Sequence, residues 1–139
     1  MSSRAVSYSK RLAIALFTAS LIATPAAMAK IITNAIDPIV SLSDNGRKLI
    51  VTGPLSCTAG ERLYLRIIVT QRTTAALAEG ATFITCTGQL QQWVLFATAQ
   101  SNEAFEQGAA TAGASGRTSE RGKSSDSDQW LVPVTLIEP

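Results

Sequence analysis

The 139-residue chain contains no histidine, and that absence removes more chemistry than any other feature of its composition. Neither a Ser-His-Asp nor a Cys-His arrangement can be assembled without an imidazole, the side chain best suited to moving protons near neutral pH. There are only two cysteines, and two thiolates without a histidine do not complete a tetrahedral metal site. A Ser-Lys pair would have to use Lys30, Lys48 or Lys123, which stand in terminal, turn or polar-segment settings where a solvated lysine is the plainer reading. No phosphate-cradling glycine loop is present, since GAATAGASG (108–116) has neither a lysine nor a following helical pattern. Glu103 and Glu106 are three apart. Paired carboxylates that cleave glycosides need a shaped cleft around them, so these two read as a solvated acidic turn. Asp126-Ser127-Asp128 looks like a fragment of a calcium loop but lacks its glycine and distal glutamate, leaving at most a weak opportunistic contact. The expectation is a protein with no catalytic residue, no metal and no cofactor.

Long apolar runs are missing as well, with one exception. Leu12–Thr24 (LAIALFTASLIAT) follows a stretch carrying Arg4, Lys10 and Arg11 and precedes the small-residue tail Pro25-Ala26-Ala27-Met28-Ala29. That order is the pattern of a cleaved export signal spanning residues 1–29. The competing reading, a retained membrane anchor, would need about 20 apolar residues. This run is shorter and broken by Thr18 and Ser20. No arginine pair supports the twin-arginine route. The expected product is a secreted domain, residues 30–139, with no membrane attachment.

Loss of Arg4, Lys10 and Arg11 turns twelve bases against ten acids into nine against ten. A slightly acidic domain lacks the clustered positive surface that nucleic acid or anionic lipid requires. Its 110 residues suit one domain.

In an oxidising compartment Cys57 and Cys86 read as a disulfide. Free or intermolecular thiols are the alternative, and a redox pair would stand closer, as in Cys-x-x-Cys. Closing such a loop stabilises a fold by roughly 3–4 kcal/mol on chain-entropy grounds. The cysteines also open two similar blocks, CTAGERLYLRIIVTQ (57–71) and CTGQLQQWVLFATAQ (86–100), each with an aromatic at its eighth position, Tyr64 and Trp93. Two hairpins of like geometry, with turns pinned by the bridge, are the simplest reading, whether the likeness reflects duplication or chance.

Period-two alternation is clearest at Arg62–Thr70, where Leu63, Leu65, Ile67 and Val69 share one face. Trp93–Ala99 is apolar on both faces, and Trp130, Val132, Val134 and Leu136 alternate again. Asn45-Gly46 supplies the positive φ angles of a tight turn between strands at 35–42 and 48–57. Pro38, Pro54 and Pro133 predict sheet edges or bulges. Residues 73–80 read as a connection with at most one helical turn, and 108–116 as either a close-packed strand or a flexible loop. Arg117–Gln129 (RTSERGKSSDSDQ) has no apolar residue and reads as a solvated loop, mobile at its tip. About seven short strands predict an all-β, antiparallel β-sandwich of immunoglobulin-like architecture. The spacing of the cysteines and of Trp93 departs from the true immunoglobulin pattern.

VTGPLSCTAGE, the strand ending VTQR, CTGQLQQW and GAATAGA together resemble a group of short exported proteins, best known from actinobacteria, catalogued as a domain of unknown function. The resemblance covers roughly residues 45–138. It implies a β-sandwich with a bridge between the two cysteines and carries no catalytic residue across. Members of that group often have a further cysteine pair in the last loop, where this chain has SSDSD, so a looser loop is expected.

The remaining lead is a recognition patch. Tyr64 is predicted on the polar face of its strand beside Arg62 and Arg66, residue types enriched at binding hot spots. Trp93 and Trp130 would stack on sugar rings if exposed, but Trp93 in an apolar strand reads more simply as core. Three functions follow: a non-catalytic module binding an extracellular protein or glycan, a carrier of a small apolar ligand between its sheets, and a small enzyme inhibitor whose reactive segment is 117–129.

Overall fold

The computed structural model describes residues 31–121 and 123–139. The expected export signal, and Lys30 after it, lie outside the described residues. No helix among the described residues is long and apolar enough to cross a membrane.

Eight strands account for most of the fold: β1 (Ile31–Asn34), β2 (Ile39–Ser43), β3 (Lys48–Cys57), β4 (Arg62–Gln71), β5 (Ala76–Thr85), β6 (Gln91–Ala99), β7 (Gly108–Glu120) and β8 (Lys123–Ile137). On β4, Leu63, Leu65, Ile67 and Val69 are fully buried, as their alternation predicts, each contributing about 1.5–3 kcal/mol of burial. β2 and β3 form an antiparallel pair around a single 3-10 turn at Asp44–Gly46. There Asp44, Asn45 and Gly46 all take positive φ, the conformation that Asn and Gly accept most readily.

The expected sandwich is corrected by the pairing. The order β3-β2-β8-β7-β4-β5-β6 returns to β3 through a β3–β6 ladder, closing a seven-stranded barrel with β1 as an extra strand on β3. Two short junctions make the closure. β2 pairs in parallel with β8 at Ile39–Ser41 against Thr135–Ile137. β5 meets β6 only at Ala78 and Glu79 against Ala99 and Thr98. Gly80 permits the second junction, because a Cβ there would strike the carbonyl oxygen of Phe96. Both junctions join residues far apart in sequence or depend on one missing methyl, and neither leaves a periodic signal.

Toward the disulfide end the ladder thins and two edges appear. Thr135 donates its N–H to the Pro38 carbonyl, so the same side of β8 carries Ser127, Gln129 and Pro133 ahead of any pairing with β2. The edge is protected: Asp126 and Asp128 accept the N–H groups of Ser127 and Gln129, and Pro133 has no N–H to expose. Pro54 departs from expectation, since β3 is paired on both sides. Its carbonyl accepts from Ala35, so its missing donor faces the interruption between β1 and β2.

Cys57 and Cys86 are joined in a disulfide, with Cα atoms 5.3 Å apart. Around it the two turns interlock: Gly60 donates to the Cys86 carbonyl, Cys86 to that of Glu61, and Gly88 to that of Cys57. The turns are therefore pinned together as expected, but the like hairpins are not formed, because β3 pairs with β6 while β4 lies between β5 and β7. The two blocks are also out of phase. Tyr64 is half-buried on the outside of the barrel, whereas Trp93, at the matching position, is buried. Both turns use a positive-φ glycine, Gly60 and Gly88. Counted from the glycine, Leu65 matches Trp93 and Tyr64 matches Gln92, and the faces agree. One residue of difference between cysteine and glycine sends the aromatics to opposite faces.

The segment 117–129, read as a solvated loop, is instead paired in the β7–β8 hairpin over 117–120 and 123–129, with one bulge after Thr118, and residue 122 at its expected mobile tip lies outside the described residues. Several of its polar residues have partners. Thr118 is fully buried and lies 3.1 Å from the Ser125 hydroxyl, which donates to the buried Glu61 carboxylate at 3.0 Å. Asp126 Oδ2 accepts the N–H of Ile31 at 2.9 Å. Polar burial satisfied in this way is invisible to a reading based on apolar periodicity. The small-residue segment 108–116 is strand, and the region read as a connection contributes Ala76–Gly80 to β5.

Candidate functional site: a trough on the outer face of β4, β7 and β8

The registers of β4, β7 and β8 set outward side chains in three rows: Tyr64–Arg117–Ser127, Arg66–Ser115–Gln129 and Ile68–Gly113–Leu131. The middle strand supplies small residues at Gly113 and Ser115, so the surface sinks along β7 between taller neighbours. Two depressions of about 620 and 420 Å³ open there and share Arg66, Ser115 and Gln129. Hydroxyl, amide and guanidinium groups dominate the first, with Asp128 on its rim. Ile68, Gly113 and Leu131 make the second more apolar.

Tyr64 and Arg117 line one end, and Phe83 and Arg62 continue the row of rings and cations beyond it. The Phe83 ring from β5 lies 5.0 Å from that of Tyr64, tilted by 52°. The Arg62 guanidinium sits 4.3 Å from the Phe83 centroid, and that of Arg117 sits 5.6 Å from the Tyr64 centroid. Such contacts hold a planar cation against a ring without consuming its N–H donors. Arg66 is engaged differently, donating Nε–H to Glu79 at 2.6 Å within an ion pair. Among the described residues neither Arg62 nor Arg117 has a carboxylate partner.

The predicted patch is thus brought together in part. Tyr64, Arg62 and Arg66 share the outer face. Trp93 is core on β6, and Trp130 packs partly buried on the inner side of β8, its ring beneath Gly116. The indole N–H groups of both tryptophans are enclosed and find no acceptor among the described residues. Trp93 therefore presents no face for stacking on sugars, while Trp130 also lines the second depression.

Arg117, Ser115, Gly113, Gln129 and Leu131 were not singled out by sequence, and Ser127 entered only within the calcium-loop fragment. A strand pattern was available in the alternation of small and polar residues through 113–117, but it is weak beside the glycine content. Asp126 turns its carboxylate toward the amides of Ile31 and Ser127. No group of three or more His, Cys, Asp or Glu converges among the described residues. Glu103 and Glu106 are exposed in the β6–β7 connection, which the buried Gln71 fastens by bonds to the N–H and carbonyl of Glu106. What the site offers is recognition by side chains: guanidiniums at and beyond one end, an aromatic wall and a hydrogen-bonding floor. No family model matches the chain, and no curated protein matches it, so this trough and its chemistry are the ground on which a role is argued.

Proposed function

We propose that the chain is an exported, non-catalytic β-barrel module that binds an extracellular macromolecule through the outer trough of β4, β7 and β8. The observation that carries this reading is the combination of small outward residues on β7 with Tyr64, Arg66 and Arg117 along its flank. A packed strand gains nothing in stability from glycine at an outward position, where a β-branched residue would serve better. The disulfide agrees with an oxidising destination, and membership in the exported actinobacterial-type group remains part of the same proposal.

The carrier reading has less support, because the inner side of β7 at Gly116 is already met by Leu63, Ile31 and Trp130. The inhibitor reading has less as well, since 117–129 belongs to a paired hairpin instead of a projecting reactive loop. The test is to fill the trough without disturbing the barrel. Gly113 does not need positive φ, and a Cβ there meets Leu131 at an ordinary 3.4 Å, so Gly113→Val keeps the fold. Binding to a glycan array and to isolated cell-surface material should fall by about tenfold or more, the loss expected of a contact at the centre of an interface. Equal binding by both proteins would refute the proposal.

A further inference from the structure

We infer that the occupant of this trough is an acidic polysaccharide, one bearing carboxylate or sulfate groups, with Arg117 and Arg62 as its anion contacts. The inference rests on the binding role proposed above and names the ligand class for that same site.

Strand pairing excludes one mode of recognition. β4 is paired to β5 and β7 along its length, and β7 to β4 and β8, so the floor of the trough has no open edge to which a peptide could add as a strand. Any ligand is held by side chains. Those at the floor, Ser115, Ser127 and Gln129, are short hydroxyl and amide groups suited to a run of sugar hydroxyls, with the Asp128 carboxylate, which accepts the Gln129 N–H, beside them. Ile68, Gly113 and Leu131 continue it as a shallow apolar strip, suited to the C–H faces of pyranose rings. The trough is open, which fits a polymer strand passing through.

Charge then narrows the class. Arg66 is neutralised by Glu79, but Arg62 and Arg117 are exposed and, among the described residues, lack a carboxylate partner. Each lies over a ring, a contact that leaves its N–H donors available for two-point contact with a carboxylate or sulfate. Arg117 stands at one end of the trough, and the rings of Tyr64 and Phe83 connect it to Arg62, which lies beyond that end. A lipid surface would draw on a broad cluster of basic residues, and a chain with nine bases against ten acids after residue 29 does not supply one.

Dextran sulfate and dextran share a backbone and differ in charge, and polygalacturonate adds a carboxylate polymer. Binding of the secreted protein to each is measured by calorimetry at 50 and 500 mM NaCl. Dextran sulfate and polygalacturonate should bind at least about tenfold more tightly than dextran at low salt, and most of that advantage should vanish at high salt. Arg117→Gln and Arg62→Gln should each remove about three- to tenfold of the acidic-polymer affinity and leave dextran unchanged. Gly113→Val should weaken all three. Equal binding of dextran and dextran sulfate at low salt overturns the acidic class while sparing the trough. Equal or tighter binding of poly-glutamate or of phosphatidylglycerol vesicles overturns the polysaccharide. Failure to bind any of the three polymers overturns this inference, and retained binding to cell-surface protein would leave the module reading standing.

Discussion

The segments that lead through β4 and β6 share a pattern, a Cys-Thr step, a glycine, an aromatic at the eighth position and an apolar run to glutamine, yet they serve opposite ends of the molecule's chemistry. β4 turns its aromatic outward into a cluster of rings and guanidiniums and keeps four aliphatic residues and, at its end, Gln71 inside. β6 turns Trp93 into the core and leaves Val94 and Phe96 bare on the outside, at 51% and 65% exposure. The difference comes from one residue in the turn, since Gly60 lies three after its cysteine and Gly88 only two. Side chains in a strand alternate with period two, so a shift of one exchanges core for surface along the whole strand. Similarity of sequence between two strands therefore says little about their roles until the turn that sets their phase is known.

This comparison can be broken most decisively at the aromatics. Trp93→Ala should destabilise the fold by about 3–5 kcal/mol in urea denaturation, because it empties a buried site beneath Gly53. Tyr64→Ala should cost only about 1 kcal/mol, the worth of its contacts with Phe83 and Arg117. Equal losses would mean that the two faces are not distinct. Cys57→Ser with Cys86→Ser should remove about 3–4 kcal/mol; an unchanged melting temperature would show that the backbone bonds between the two turns suffice. Ser125→Ala strips the buried Glu61 carboxylate of a donor and should lose about 1–3 kcal/mol, which checks that the polar end of the β7–β8 hairpin is held in place. The smallest effect belongs to the outer side of β6. Phe96→Thr should change stability by less than about 0.5 kcal/mol and leave dextran sulfate binding untouched, confining recognition to the β4 side.

Much of the fold was legible because alternation survives in single strands. The inward set on β4, the Asn45-Gly46 turn and the Cys57–Cys86 bridge each depend on residues near one another or on a pair with no other partner. The closure of the barrel was not legible, since it rests on three β2–β8 pairs and two β5–β6 pairs between strands whose own patterns are unaltered by it. The site was half legible. Tyr64, Arg62 and Arg66 announced themselves on a clear strand, but Arg117, Ser115 and Gln129 lie where apolar periodicity fades, and hydrogen bonds through Thr118, Ser125 and Glu61 take the place of apolar burial.

By itself the sequence determined the all-β character, the oxidised pair and the absence of histidine chemistry, because composition and local periodicity act one residue or one strand at a time. Only the tertiary structure decided that Trp93 is inside and Tyr64 outside, that the sheet closes, and that Gly113 and Ser115 lie between Arg66 and Gln129. Those facts are set by turn phase and by register between distant strands, and register exists only once the strands have met.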